Sequence, residues 1–223
     1  LINNFLMTEK INVNIGCSTT PTTGWKNYDN SQAIFLAKFG IFADLFFKLR
    51  FISDHQYKVV NFYRKNKVVW ADVTKYLPLE SNTVNAIYSS HMFEHLDKDE
   101  AKKCLLEMRR VLEPGGILRL ALPNMRKYID EYLNDKDLDK LIETSCLGTD
   151  KPKSIIEKIK YFLSGPRHHL WMYDENSLSK LLEEYDFRDI EVLKPGETNI
   201  EKYGDLNLRE KEDDSFYIEA RKY

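Results

Sequence analysis

Val13-Asn14-Ile15-Gly16-Cys17-Ser18 is followed closely by Gly24-Trp25-Lys26-Asn27-Tyr28-Asp29. Further along come Ala71-Asp72-Val73-Thr74-Lys75-Tyr76-Leu77-Pro78 and Ala86-Ile87-Tyr88-Ser89-Ser90-His91-Met92-Phe93-Glu94-His95-Leu96. Each is a short apolar run that stops at a Gly, an Asp or a polar cluster. That is the pattern of a buried parallel strand whose carboxyl end is a binding site. In an open α/β sheet, ligands sit outside those strand ends. Strands ending in Gly16, Asp29 and Asp72 bring a close backbone approach and two carboxylates to one crevice. Such a set suits a nucleoside with a ribose diol and an exocyclic amine.

Working outward, Ile11–Gly16, Trp25–Asp29, Val68–Asp72 and Asn85–Ser90 read as the first four strands. Asp97–Leu112 reads as a helix: Ala101, Leu105, Met108 and Leu112 make one apolar stripe, and Asp97 with Glu100 forms a capping pair. Glu113-Pro114-Gly115-Gly116 stops it, and Ile117–Leu122 follows as a fifth strand by a right-handed crossover. Asp174–Tyr185 is a further helix, and Asp189–Leu193 and Ser215–Arg221 close the sheet, the last as an antiparallel edge strand. Residues from Asn124 to Ser164 are polar and Lys-rich, and short helices are expected there as a cover over the strand ends, the cover reaching about residue 173. Ile34–Ile52 carries Phe35, Leu36, Phe39, Phe42, Leu45, Phe46 and Leu49. Lys38, Asp44, Lys48 and Arg50 interrupt it, which excludes a membrane span. It reads first as a helix packed on the sheet, and second as a contact for a lipid-linked acceptor, a membrane surface or a second subunit.

The chain of 223 residues, 43% hydrophobic and 30% charged, fits one α/β domain spanning 1–223. A net charge of −2 gives no electrostatic footprint for nucleic acid. Cys17, Cys104 and Cys146 lie far apart with no metal spacing, so free buried thiols in a reducing, cytoplasmic setting are expected. No signal-peptide pattern is visible, and a first residue of Leu1 rather than Met leads us to expect a piece upstream.

These stretches, together with Arg110-Val111-Leu112-Glu113-Pro114-Gly115-Gly116, His169-Leu170-Trp171-Met172-Tyr173-Asp174 and Tyr217-Ile218-Glu219-Ala220-Arg221, resemble the class I S-adenosylmethionine-dependent methyltransferases. The likeness is to the type-11-like branch associated with glycan and lipopolysaccharide biosynthesis, and it spans most of the chain in order. It implies a Rossmann-like methyltransferase fold: an α/β architecture with a seven-stranded, mostly parallel sheet, an antiparallel last strand and helices on both faces. It implies S-adenosyl-L-methionine as cofactor and a small-molecule or glycan acceptor. Ser18 stands where many relatives carry the second glycine of a Gly-x-Gly loop, and Asn85 where they often carry Asp. A nicotinamide dinucleotide reading fails, because the second and third glycines of its fingerprint are missing and Asp29 comes too early.

On this basis Gly16, Cys17, Asp29, Asp72, Val73, Ser89 and Ser90 are the expected cofactor residues. Asp29 would accept from the ribose hydroxyls and Asp72 from the adenine amine, with the Val73 amide facing a ring nitrogen. Asp72 also reads as a plain loop cap. His91 and His169 are the candidate catalytic bases, since imidazole titrates in the range where a hydroxyl acceptor needs a proton acceptor. His91 equally reads as a structural histidine. His95, His168 and Tyr173 are candidate acceptor contacts, although Glu94-His95-Leu96 also reads as the brace of the next helix. A metal held by His91, His95 and His169 is a rival use, but spacing alone assembles no ligand set, so no metal is expected. O-methylation of a sugar or other hydroxyl is the leading function. N- or C-methylation of another metabolite, or a degenerate cofactor-binding partner module, are the alternatives.

Overall fold

The computed structural model of the protein describes residues 10–148, 154, 158 and 168–223. Its seven strands are β1 (Ile11–Ile15), β2 (Lys26–Asp29), β3 (Val69–Trp70), β4 (Val84–Ser90), β5 (Leu112–Pro123), β6 (Phe187–Leu193) and β7 (Ser215–Lys222). They form one sheet in the order β3-β2-β1-β4-β5-β7-β6. Pairings among β1 to β5 are parallel, and β7 runs antiparallel to both β5 and β6. The expected mostly parallel α/β sheet with an antiparallel last strand is therefore present. One reading is corrected: β7 is not an edge strand but lies between β5 and β6, and the edge is β6.

The helices whose bounds fall among the described residues are α1 (Ala33–Lys38), α2 (Gly40–Lys48), α3 (Asp54–Lys65), α4 (Lys98–Val111), α5 (Met125–Asp135), α6 (Leu138–Thr144) and α7 (Glu175–Glu184). The expected cap of α4 is made in full: Asp97 accepts from the Glu100 amide and Glu100 accepts from the Asp97 amide. Its stripe of Ala101, Leu105 and Met108 enters a core that also takes Leu178 and Leu182 of α7 and Leu118, Leu120 and Leu122 of β5. After α4, Val84 faces Leu112 while Ala86 faces Ile117, so residues 113–116 bulge out of the ladder. Gly115, at φ +77°, supplies the left-handed residue that this excursion needs. On the other sheet face, Ile117, Ala121 and Tyr217 meet Trp25, Ile200, Leu206 and Leu208. That face is covered there by irregular chain rather than by a helix. Two-sided burial explains why β7 lacks an exposed side.

The Phe-rich segment departs most from expectation. Instead of one core helix it forms α1 and α2, broken at Phe39, and exposes Phe39, Ile41, Phe42, Leu45 and Leu49. Of this stretch, Ile34, Ala43 and Ile52 are fully buried. No described helix is long and apolar enough to cross a membrane. α5 and α6 occupy the start of the expected cover. Residues 149–153, 155–157 and 159–167, where the rest of it was expected, lie outside the described residues.

Candidate functional site

The carboxyl ends of β1, β2 and β4 meet at the Gly16–Ser18 loop. Gly16 has φ +68°, and a Cβ there would stand 2.5 Å from Met92 Cγ. Glycine is thus required by backbone conformation and by Met92, a neighbour that sequence reasoning did not foresee. Ser18 adopts φ 44°, so the serine takes the left-handed conformation that a second glycine would otherwise provide. Asp29 holds it there: Oδ2 accepts from the Ser18 amide at 2.9 Å and Oδ1 from the Ser31 amide at 2.8 Å. Burial raises the Asp29 pKa, with the two amide bonds opposing. Each carboxylate oxygen keeps a further lone pair for a ligand.

Cys17 is buried, and burial first, then the Asp29 charge, push its thiol up to about 12, so it stays neutral. Tyr63 of α3, which sequence reasoning missed, is buried within electrostatic reach of Asp29 and Cys17. Ser89 is buried with no hydrogen-bond partner for its hydroxyl among the described residues. The Ser90 hydroxyl, near the Tyr88 phenol, likewise finds no bond of good geometry. Unpartnered hydroxyls at a strand's carboxyl end fit a polar ligand. Asp72 is the exception among the expected cofactor residues. Its Oδ1 takes the Thr74 amide and hydroxyl, and Lys75 lies 2.9 Å from Oδ2, so it caps its own turn. Burial is the largest single influence and pushes its pKa up, but the Thr74 and Lys75 contacts together bring it below the ordinary value. Val73 packs into the core.

The second half of the site grows from His91. Its amide donates to Ala121 O at 2.9 Å, and its φ of 48° turns the chain abruptly off β4. A non-glycine residue in that conformation costs on the order of 1 kcal/mol and marks a constrained position. Met92 follows, then a single 3₁₀ turn, Phe93–His95. His91 and His95 therefore do not share a helical face; they converge on Glu94 from two sides. Glu94 is 0% exposed. Its Oε1 lies 3.3 Å from His91 Nδ1 and 3.8 Å from His169 Nε2. Neither contact has hydrogen-bond geometry, and both Glu94 oxygens are without partners among the described residues. Sequence reasoning treated Glu94 as a brace, whereas the structure puts it at the centre.

The strap His168–Trp171 completes the enclosure. Leu170 and Trp171 amides both donate to the Glu94 carbonyl, and the His169 amide donates to Cys146 O. His169 Nδ1 meets Ser145 O at 2.8 Å, and His95 Nδ1 meets His168 O at 3.1 Å. The rings of His95 and His169 are 5.0 Å apart. Burial holds the His169 pKa below the ordinary value, the chief opposing influence being Glu94. His91 Nε2 is 2.8 Å from Ser215 Oγ of β7. His91, His95, His168 and His169 are thus brought together, while Tyr173 is buried in the core against Phe93. Cys17 and Cys104 are buried free thiols as expected, but Cys146 is exposed. A cleft of about 190 Å³ lined by Lys10, Asn85, Gly115 and Lys202 lies at the opposite, amino-terminal end of the strands.

Comparison with known proteins agrees with this frame. Residues 50–120 match the family described as a methyltransferase domain. An S-adenosylmethionine-dependent methyltransferase from Methanosarcina mazei superposes with a TM-score of 0.53 at 14% identity, covering 98% of this chain and 95% of that one. A second such enzyme, from Thermotoga maritima and described as a possible histamine N-methyltransferase, gives 0.51 at 16% identity over 98% and 84%. No curated protein matches by sequence. The fold is the Rossmann-like fold of class I S-adenosylmethionine-dependent methyltransferases.

Proposed function

We propose that the protein is an S-adenosylmethionine-dependent methyltransferase that methylates a hydroxyl of a sugar or other glycan acceptor, in the cytoplasm and in the setting of glycan or lipopolysaccharide biosynthesis. The observation that carries it is the pairing, at one sheet end, of an Asp29-braced glycine loop with a histidine held beside a buried carboxylate. Gly16, Cys17 and Asp29 would hold the methionine and ribose parts, and Ser89 and Ser90 would offer their hydroxyls. The Asp72 carboxylate, through the lone pairs its turn contacts leave free, and the Val73 amide would meet the adenine. When bound, the cofactor supplies a methyl on a sulfonium, which needs no activation by the protein. What the chain must supply is position and a proton acceptor. His91 would be that acceptor, its Nδ1 3.3 Å from the buried Glu94 carboxylate and its Nε2 2.8 Å from Ser215 Oγ in the free enzyme. His169, His95 and His168 would line the acceptor side.

Calorimetry with S-adenosylhomocysteine tests the first half. Asp29→Ala should weaken binding by about 1.5–3 kcal/mol, the usual loss for a hydrogen bond to a charged group. Asp72→Ala is read alongside its melting temperature, because the carboxylate also holds Thr74 and Lys75. A folded wild-type protein that gives no heat with this ligand sinks the proposal.

The exposed apolar face of α1 and α2, bordered by Lys38, Lys48 and Arg50, we assign to contact with an anionic lipid surface near a lipid-linked acceptor. Phe39→Ser with Phe42→Ser should reduce vesicle flotation while changing stability by no more than about 0.5 kcal/mol each, as exposed positions do. Loss of dimer on sedimentation, with flotation unchanged, would reassign the face to a second subunit.

A further inference from the structure

Glu94, His95 and His169 present ligand atoms that all lie within 4.8 Å of one another. No spacing rule encodes this grouping, because His169 arrives from far along the chain. We propose that these three residues form a binding site for a first-row divalent cation, with Zn²⁺ as the reference ion.

The case rests on where protons can sit. A carbonyl oxygen only accepts, so the bond between His169 Nδ1 and Ser145 O requires the proton on Nδ1. His95 Nδ1 is fixed in the same way by His168 O. Each ring therefore carries its lone pair on Nε2, and that of His169 is 3.8 Å from Glu94 Oε1. Metal-binding imidazoles are held in this manner, with the other nitrogen donating to a carbonyl or carboxylate. Opposite them stands a carboxylate that is 0% exposed and has no hydrogen bond to either oxygen. Burying a bare carboxylate against acceptor lone pairs is costly unless a cation lies between them. Two imidazoles and one carboxylate suit Zn²⁺, Fe²⁺ or Mn²⁺ better than the all-oxygen sites favoured by Mg²⁺ and Ca²⁺, and leave coordination positions open. The strap that closes the site is itself pinned to it, through two amides on the Glu94 carbonyl.

An acceptor hydroxyl on an open position would be acidified by the ion, and its proton would pass to His91. This use rests on the methyl-transfer reading above; the binding does not. The full chain, stripped with chelator and desalted, is titrated with Zn²⁺, Mn²⁺ and Mg²⁺ by calorimetry, and with Co²⁺ followed by its visible absorption. The expected result is a single equivalent of Zn²⁺ with roughly micromolar or tighter affinity, a raised melting temperature, Co²⁺ bands of low-symmetry nitrogen and oxygen ligation, and little response to Mg²⁺. Glu94→Gln, which preserves shape, and the double variant His95→Ala with His169→Ala should each weaken Zn²⁺ by at least about 100-fold, the upper end of what even outer-shell changes cause. Cys146→Ser, at the exposed thiol, should leave binding unchanged. No Zn²⁺ binding by the wild type, binding retained by Glu94→Gln, or binding lost in Cys146→Ser overturns the site. S-adenosylhomocysteine titrated into the same samples keeps the two proposals apart, since either ligand can fail alone.

Discussion

Arg119→Met should lower stability by about 3–5 kcal/mol, the range for stranding one partner of a buried ion pair. Arg119 and Glu219 face each other across β5 and β7 with side chains only 0% and 3% exposed, and Arg119 Nη1 is 2.7 Å from Glu219 Oε1. The guanidinium also donates to Glu197 O at 2.9 Å, and Glu219 accepts from the Thr198 hydroxyl and the Asn199 amide. Removing the arginine therefore leaves a buried carboxylate short of its cation and loosens the covering segment over the second core. Replacing both residues by apolar ones, Arg119→Met with Glu219→Leu, should recover much of the loss, because no charge is then stranded. Urea unfolding measures both. A loss below about 1 kcal/mol in the single variant, the scale of exposed pairs, would show that the pair contributes no more than a surface bridge. The effect reaches the site, because β7 also carries Ser215, the partner of His91 Nε2.

The same pair shows where sequence reading runs out. Phe216, Ile218 and Ala220 alternate with Tyr217 and Glu219, a pattern that predicts one wet face, yet both faces of β7 are covered. Period-two alternation reports polarity, and a polar residue satisfied by a buried partner one hundred residues away in the chain looks like an exposed one. Local signals fared better. Asp97 with Glu100 marks the start of α4, and Ser53 with Gln56 forms the same kind of cap on α3. The strand ends at Gly16, Asp29 and Ser90 were legible because each is an apolar run cut by a polar or glycine residue. Ile34–Ile52 misled because its thick apolar face satisfies the periodicity of a core helix, whereas burial depends on what the tertiary fold lays against it. Glu94 was invisible as a centre because its neighbour His169 is placed by two amide bonds from the strap, which no spacing rule encodes.

His91→Ala should cut the rate of methyl transfer by about 10²–10⁴-fold while leaving S-adenosylhomocysteine affinity nearly unchanged, since a general base acts on the transition state. A sugar hydroxyl is a poor nucleophile while it keeps its proton, and position alone can recover only part of the rate. The loss should fall on kcat rather than KM, and added imidazole should restore some of it by occupying the vacated space. Zn²⁺ affinity should also persist, because His91 stands beside the three proposed ligands rather than among them. His169→Ala should lower the rate as well, but with loss of the ion, so the two variants part company in the metal titration. Glu94→Gln should resemble His169→Ala in metal binding and His91→Ala in rate, because its carboxylate serves both neighbours, 3.3 Å from one and 3.8 Å from the other. Near-wild-type turnover in His91→Ala, and again in the double variant with His169→Ala, would remove histidine from the mechanism. The acceptor would then have to be nucleophilic already, which points to an amine rather than a hydroxyl.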